Sequence, residues 1–503
     1  MKRILLFGAG KSATVLIDYL LKQADPENWH LTLVDANLEM AREKIGNSPK
    51  GEALAFDIKN NGQREATIKN ADLVISLLPP ALHILVATDC IKLEKHLLTA
   101  SYVDDQMRSL QPAIEAKELL FLCEMGLDPG IDHMSAKHLI DQIHDEGGTI
   151  TSFLSHCGGL IAPESDDNPW HYKISWNPRN VVMAGKAGAI FRQYNEIVEW
   201  EYEELFREKR WVTIPENETW CWYPNRDSLS YITAYGLKDA QTFIRTTLRH
   251  PDFMYGWKNL IDLKLTDETV CYETGNKSLA AFFKEHMDKN GFTEWLEQKL
   301  QEQFSSTKDL LAELVNLVEL EQKAAEKGLE QQDEFMMVDD KGDLKEVDID
   351  DLKIHAASTL ADKMHDASLI LKQLFYLGMD DGNTLINKDS CSAADILQFA
   401  LENKLALQPA DKDRILMMHE LEFTQQGISH KACSYLSVTG DDDKHTAMAK
   451  TVGLPLGIAA KLILNGTITL RGLQIPIHQE IYKPVLEELE QHGIRFTTQF
   501  SEG

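Results

Sequence analysis

Residues 2–13 read Lys2-Arg3-Ile4-Leu5-Leu6-Phe7-Gly8-Ala9-Gly10-Lys11-Ser12-Ala13. Four consecutive apolar residues run straight into a Gly-x-Gly-x-x-Ala turn, and apolar residues then recur three or four apart through Ala13–Lys22. A strand delivered by a glycine turn into a helix start predicts the first βα unit of a dinucleotide-binding sheet. The glycines allow a diphosphate close to backbone N–H groups, and the positive end of the helix faces it. The neighbouring Gly10-Lys11-Ser12 is not a P-loop, because that motif needs glycine where Leu5 stands. Asp35 ends the next apolar run in Leu33-Val34-Asp35. A carboxylate there accepts from both hydroxyls of an adenosine ribose and repels a 2′-phosphate, so the pattern predicts NAD in preference to NADP. Gly8, Gly10, Lys11, Ser12, Ala13 and Asp35 form the expected cofactor set.

Working outward, short apolar runs at Arg3–Phe7, Leu31–Val34, Leu54–Ile58, Leu73–Leu78, Leu97–Tyr102 and Leu119–Glu124 alternate with helical patterns such as Leu38–Ile45. That rhythm predicts α/β architecture with a parallel Rossmann-like sheet. Seven of nine tryptophans then fall between residues 170 and 257 of a stretch punctuated by proline and glycine. This reads as a mixed α/β domain whose aromatics build a core or a pocket wall, most of them in the core. Residues 266–412 read as an inserted, mainly helical domain. Capping signals stand at Ser306-x-x-Asp309 and Ser392-x-x-Asp395, and a stop stands at Gly378 after Leu360–Leu377. The acidic run Asp333–Asp351 reads as a solvated loop or edge. Arg414–Phe423 and Ser429–Val438 around Gln425-Gln426-Gly427 predict a hairpin, followed by helices over His445–Leu464 and up to Gly493. The expected division is a Rossmann domain over 1–130 completed by 443–503, a mixed domain over 131–265 completed by 413–442, and an all-α domain over 266–412.

With 503 residues, about three domains of roughly 150 residues are expected. The net charge of −28 repels phosphate backbones and anionic lipid, so neither nucleic acid nor a membrane surface is an expected partner. Seven scattered cysteines without a CxxC pair predict reduced thiols in a cytoplasmic protein and no metal site. No run of 18 apolar residues suggests a membrane span.

Three further blocks carry chemistry. Glu124-Met125-Gly126-Leu127-Asp128-Pro129-Gly130-Ile131-Asp132-His133 leaves the last parallel run. Cys157-Gly158-Gly159-Leu160-Ile161-Ala162-Pro163-Glu164 continues to Tyr172-Lys173-Ile174-Ser175-Trp176. Tyr223-Pro224-Asn225-Arg226-Asp227-Ser228 precedes Ile244-Arg245-Thr246-Thr247-Leu248-Arg249. With the opening turn and the tail Ala447-Met448-Ala449-Lys450-Thr451-Val452-Gly453-Leu454-Pro455, these resemble the saccharopine dehydrogenase family in its L-glutamate-forming branch. The resemblance covers most of 1–260 and 440–500. The Cys157–Glu164 block departs from the family's usual LPAPE by reading LIAPE, and the region 266–412 matches less clearly.

The resemblance implies oxidation of the secondary amine of saccharopine with a nicotinamide cofactor. Water then releases L-glutamate and α-aminoadipate semialdehyde, in lysine metabolism. It implies a small-molecule substrate with several carboxylates, and a homodimer formed through the mixed domain. Arg226 is the first choice for a carboxylate clamp, because a guanidinium grips both oxygens. Thr246, Thr247 and Arg249 match a second carboxylate-binding stretch, and Ser101 and Tyr102 place hydroxyls near substrate or nicotinamide ribose. Asp57, Ile58, Leu78, Pro79, Leu127, Asp128, Pro129 and Trp176 join the cofactor set. Asp128 and Cys157 are the catalytic candidates, Asp128 to hold the ammonium groups or relay a proton. His133 reads equally as a packing histidine. The competing readings are a dehydrogenase of another carboxylated secondary amine, such as carboxynorspermidine, and a non-catalytic NAD sensor.

Overall fold

A computed structural model describes residues 1–299, 301, 305, 308, 334–338, 344–348, 364–366 and 368–502. Six parallel strands follow the apolar runs: β1 (Lys2–Phe7), β2 (Trp29–Asp35), β3 (Gly51–Ala55), β4 (Leu73–Ser76), β5 (His96–Thr99) and β6 (Leu120–Leu122). Their spatial order is β6-β5-β4-β1-β2-β3, and Gly472–Gln474 adds a seventh, parallel strand beside β6. The third strand lies at 51–55 and not at the expected 54–58. Phe56 and Ile58 belong to the apolar cluster around Phe7 and Val34, but they pack there after the strand has ended. Gly8, at φ +104°, brings the first turn so close to β4's exit that a Cβ would stand 2.6 Å from the Leu77 carbonyl oxygen.

A second, ten-stranded sheet is built around β7 (Thr149–Ile161). Thr242–Arg249 pairs with β7 in parallel on one side, and Asp413–Gln425 pairs antiparallel on the other. Gln426 and Gly427 both have positive φ and turn Asp413–Gln425 into Ile428–Thr439, as the hairpin expectation requires. Thr497–Glu502 completes that edge. The helix Ala447–Leu464 is as long and apolar as a membrane span, yet 13 of its 18 residues are buried in the protein. Its N-terminus is held by Asp413, whose carboxylate accepts the Ala447 and Met448 amides at 2.5 and 3.0 Å. It packs on the helix Thr14–Gln23 through Gly453 and Gly457, where a Cβ would lie 2.7 Å from the Leu16 nitrogen and 2.5 Å from the Tyr19 ring.

Contacts divide the chain into one unit of 1–167, 171–251 and 405–503 and a second of 168–170 and 252–404. The boundaries thus differ from those expected. Both sheets share one unit, and the helical unit begins near residue 252, because Phe253 and Trp257 of the helix Pro251–Asp262 pack with Trp170. Among the described residues the second unit is mainly helical, with two ribbons, Val270–Glu273 with Ser390–Ser392 and Glu334–Val338 with Leu344–Asp348. The latter lies in the acidic run expected to be a loop or edge. Ser392 and Asp395 form a reciprocal cap on the helix Ala393–Lys404, and Gly378 has the positive φ of a helix stop. The expected cap at Ser306-x-x-Asp309 lies outside the described residues. Of the seven tryptophans expected mostly in the core, Trp170 and Trp257 are fully buried, whereas Trp211 is 54% exposed. The Arg210 guanidinium lies 3.9 Å over the Trp200 ring, so part of the aromatic surface is covered by a cation and not by core packing.

Gly453→Ala pushes a methyl group into the Leu16 backbone, and a stability loss of about 1–3 kcal/mol is expected in urea denaturation.

Candidate active site

The carboxyl ends of the parallel strands gather the expected cofactor residues, as open α/β sheets require. Gly8 and Gly10 form the first turn, and Lys11, Ser12 and Ala13 make the short 3₁₀ turn that opens the first helix. A Cβ at Gly10 would meet nothing within 4 Å, so the space in front of the helix N-terminus is open. Asp57 and Ile58 follow β3, and Leu78 and Pro79 follow β4. Asp35 ends β2 with both oxygens engaged: Oδ2 accepts the Ala9 amide at 2.8 Å and Oδ1 the Asn37 amide at 2.9 Å. Beside it, Lys44 donates to the Gly10 carbonyl at 2.8 Å and to the Thr14 hydroxyl at 2.6 Å. Burial lowers this ammonium to about 8. The sequence reading missed Lys44, which stands on the exposed helical pattern Leu38–Ile45.

Ser101 and Tyr102 leave β5, and Leu127, Asp128 and Pro129 leave β6. Gly130 makes this second exit possible. At φ +148° its Cβ would fall inside the Gly126 backbone, so the loop doubles back tightly and starts the helix Ile131–Asp145. Tyr102 donates to Asp128 Oδ1 at 2.9 Å, and Asn225 Nδ2 stands 3.5 Å from Oδ2.

The centre of the cluster is a residue quoted in the sequence blocks but given no role there. Arg245 is 2% exposed, and its Nη2 donates to Asp128 Oδ1 at 2.6 Å, Asp132 Oδ2 at 2.7 Å and the Tyr102 hydroxyl at 3.2 Å. Its guanidinium lies 4.6 Å over the Tyr231 ring. Behind it, His133 bridges Glu124 Oε2 at 2.8 Å and the Tyr235 hydroxyl at 2.6 Å, and Tyr231 donates to the same Glu124 oxygen. His133 is thus a polar link in a buried network. A signal for Arg245 existed: a cation in the apolar strand pattern Thr242–Arg249 demands buried anions.

Burial pushes the Asp128 carboxyl up and Asp132 adds to it, against the pull of Arg245. For Asp132 burial acts the same way, but His133, Arg245 and the Gly130 amide outweigh it and hold that carboxyl low. One guanidinium therefore faces two carboxylates, which suits the approach of a positively charged amine.

Alternation along Thr242–Arg249 sorts the remaining candidates. Arg245, Thr247 and Arg249 share one face, opposite Ser155 and Cys157 of β7. Thr246 points to the other face, where its hydroxyl, 0% exposed, meets His156 Nδ1 at 2.6 Å, and His156 Nε2 meets Glu420 at 2.9 Å. The Thr246 side chain therefore leaves the expected substrate set, since adjacent residues of a strand cannot serve one face. Arg249 is buried, its guanidinium 5.5 Å over Tyr172, whose hydroxyl accepts from Trp176 at 2.9 Å. Arg226 is exposed, at φ +50°, with its guanidinium 5.3 Å over the Tyr102 ring. Cys157 is buried in the same apolar cluster as Leu127. Burial, with Asp128 and Asp132 adding, pushes its thiol well above the usual range, so it stays protonated and is a poor base.

Ser101 is oriented by His83, whose Nε2 lies 2.8 Å from its hydroxyl and whose Nδ1 lies 2.8 Å from Ser76. Burial lowers His83 to about 4 from 6.5, and His419 likewise. The unfolded chain takes up these protons first, so stability is expected to be full above pH 6.5 and to fall as pH drops towards 4. Thermal midpoints measured across that window check this, and His83→Gln should flatten part of the fall.

Residues 4–122 match the saccharopine dehydrogenase NADP binding domain, and residues 126–494 match the saccharopine dehydrogenase C-terminal domain. The chain is 30% identical to "Saccharopine dehydrogenase [NADP(+), L-glutamate-forming]" of Schizosaccharomyces pombe over 98% of both chains. It is 31% identical to the mitochondrial alpha-aminoadipic semialdehyde synthase of Bos taurus, covering 99% of this chain but 48% of that one, so it spans about half the synthase's length. The structure of apo saccharopine dehydrogenase (L-Glu forming) from Saccharomyces cerevisiae superposes with a TM-score of 0.76 at 27% identity, over 100% of both chains. The NADP descriptions of the matched domain and of the fungal enzyme overturn the expectation of NAD drawn from Asp35. In the loop Asp35 accepts the Ala9 amide on one oxygen and the Asn37 amide on the other, so its carboxylate also serves as a staple of the turn. With its two domain models covering nearly the whole length, the chain belongs to the saccharopine dehydrogenase family.

Proposed function

We propose that this chain is an NADP-dependent, L-glutamate-forming saccharopine dehydrogenase of lysine metabolism. The observation that carries the reading is the cluster of buried Arg245 with half-buried Asp128 and Tyr102 at the exits of β5 and β6, on the sheet end that also presents the glycine turn. The turn fits a dinucleotide: Gly10 leaves open space before a helix N-terminus, and Gly8 has no room for a side chain. The cofactor would lie along Gly8–Ala13, Asp57-Ile58, Leu78-Pro79 and Leu127–Pro129, with Trp176 at the nicotinamide half, and when bound it supplies the hydride acceptor.

The protein's part is binding, orientation and proton handling. A substrate with three carboxylates needs fixed cations, and Arg226 and Arg249 supply them, with Ser101 and Thr247 as hydroxyl donors and Tyr102 committing its hydroxyl proton to Asp128. The secondary amine must lose its ammonium proton before the neighbouring C–H bond can deliver hydride. Asp128 Oδ1 is taken by Tyr102 and Arg245, while Oδ2 has only the long 3.5 Å contact from Asn225 and is the atom that meets the ammonium and takes its proton. Water then adds to the resulting C=N bond, the C–N bond breaks, and glutamate leaves as the amine while the other carbon becomes the aldehyde. A homodimer formed through the mixed sheet and a cytoplasmic setting belong to the same reading.

Purified protein is expected to reduce NADP with saccharopine, followed by absorbance, and carboxynorspermidine is expected to be a poor substrate. No turnover with tight NADP binding would replace the reading with a sensor. Arg226→Ala should raise KM for saccharopine by about 10- to 100-fold, the loss of one charged hydrogen-bonding partner. Gly10→Val leaves folding intact, because its Cβ enters open space, and is expected to weaken NADP binding about tenfold or more in fluorescence titration.

A further inference from the structure

Arg245 binds no substrate group in the reaction just described, yet it is the most enclosed cation of this unit. Its Nη2 already donates to two carboxylates and a phenol, and its Nη1 is buried without a hydrogen-bond partner. A buried guanidinium with one unmatched nitrogen costs stability, so packing alone does not account for it. What the arrangement achieves is electrostatic. Asp128 and Asp132 approach one nitrogen from the two ends of a tight loop, and without a cation between them two buried carboxylates at this spacing would share a proton.

The geometry points to Arg245 as a positioning residue that keeps Asp128 ionised and orients it towards the substrate amine, with Asp132 as the counterweight that limits its pull. The inference rests on the saccharopine dehydrogenase reading and names a residue that acts through Asp128. Groups reaching Arg245 come from every side. Tyr102 lies beyond β5, Glu124 and Asp128 beyond β6, and Asp132 and His133 on Ile131–Asp145. Tyr231 and Tyr235 stand on Leu229–Tyr235, Cys157 on β7 and His419 on Asp413–Gln425, while Arg249, four residues along the strand, acts on Cys157. Tyr102, Tyr231, Tyr235 and Cys157 are all pushed up by burial and stay neutral, and His419 is neutral by the same cause acting on a base. Burial pushes Glu124 up, but His133 and the Val103 amide hold it low with Arg245 the least of the causes, so the ionisation that changes most when Arg245 is removed is that of the carboxylate pair.

The test compares pH profiles of kcat/KM for saccharopine in the wild type, Arg245→Met, Arg245→Lys and Asp132→Asn. In Arg245→Met the acid limb should move up by about 1–3 pH units, with activity recovering as pH rises. In Asp132→Asn, where Arg245 serves Asp128 alone, the limb should move down. Arg245→Lys should restore the limb and leave a lower kcat, since an ammonium lacks the fork. NADP affinity by fluorescence should change less than about twofold throughout. A second readout needs no turnover: the infrared band of a protonated buried carboxyl should appear in Arg245→Met at neutral pH and vanish when Asp128→Asn is added. Unmoved acid limbs, or limbs that shift the same way in Arg245→Met and Asp132→Asn, would overturn the inference. Should Arg245→Met fail to fold, the Asp132→Asn and Arg245→Lys profiles decide it. A wild type inactive on saccharopine sinks the substrate reading, and the infrared band then judges Arg245 by itself.

Discussion

A full positive charge held almost out of reach of water must bring its counter-charges with it, and Arg245 does so across two layers of one unit. The cation comes from the mixed sheet, on Thr242–Arg249, and the anions come from the exit of β6 and the helix after it. Neither layer can shift without separating buried charges, which costs far more than losing a surface ion pair. The tight loop through Gly126 and Gly130 follows from the same demand, since it sets Asp128 and Asp132 close enough to share one nitrogen.

The two-residue period of a strand then divides the chemistry. Arg245, Thr247 and Arg249 look into the site, while Thr246 and His156 form a polar link to Glu420 on the opposite face. Similar logic acts at Ser101, whose hydroxyl is fixed by a neutral His83 that Ser76 holds in turn. The site is thus made of hydroxyls and carboxylates already held by neighbours, so little reorganisation remains when substrate arrives.

The Rossmann half was legible because its signals are local. Lys2–Ala13 carries strand, turn and helix start in one stretch, and the helix Leu38–Ile45 matches its pattern residue for residue. The third strand was displaced because Phe56 and Ile58 are apolar for packing and not for pairing. The cofactor inference failed for a related reason, since a carboxylate at the end of β2 looks alike in sequence whether it faces a ribose or caps its own turn. Arg226, Tyr102, Asp128 and Arg249 came from block resemblance; Tyr102 and Asp128 bond to Arg245 and Arg226 lies over the Tyr102 ring, whereas Arg249 stands four residues along the strand against Tyr172. Thr246 was misplaced because the blocks were read as strings and not as faces. Arg245, Asp132 and Glu124 were passed over, and His133 was left between a site role and packing, because partners such as Arg245 and Asp128 lie 117 residues apart. Buried networks become visible only once long-range pairing is known.

The placement of Asp413–Gln425 beside β7 has a consequence for how the protein is made. β7 emerges early in synthesis, finds Thr242–Arg249 for one edge, and waits for its other partner until residue 425 has been added. At typical elongation rates the gap between residues 251 and 425 lasts on the order of ten to thirty seconds. Throughout that time a strand of 13 residues shows one row of unpaired amides and carbonyls to the crowded interior of the cell. The nascent chain therefore passes through a stage in which another nascent copy is as good a partner as its own unfinished tail, and shielding of that edge is part of its biogenesis.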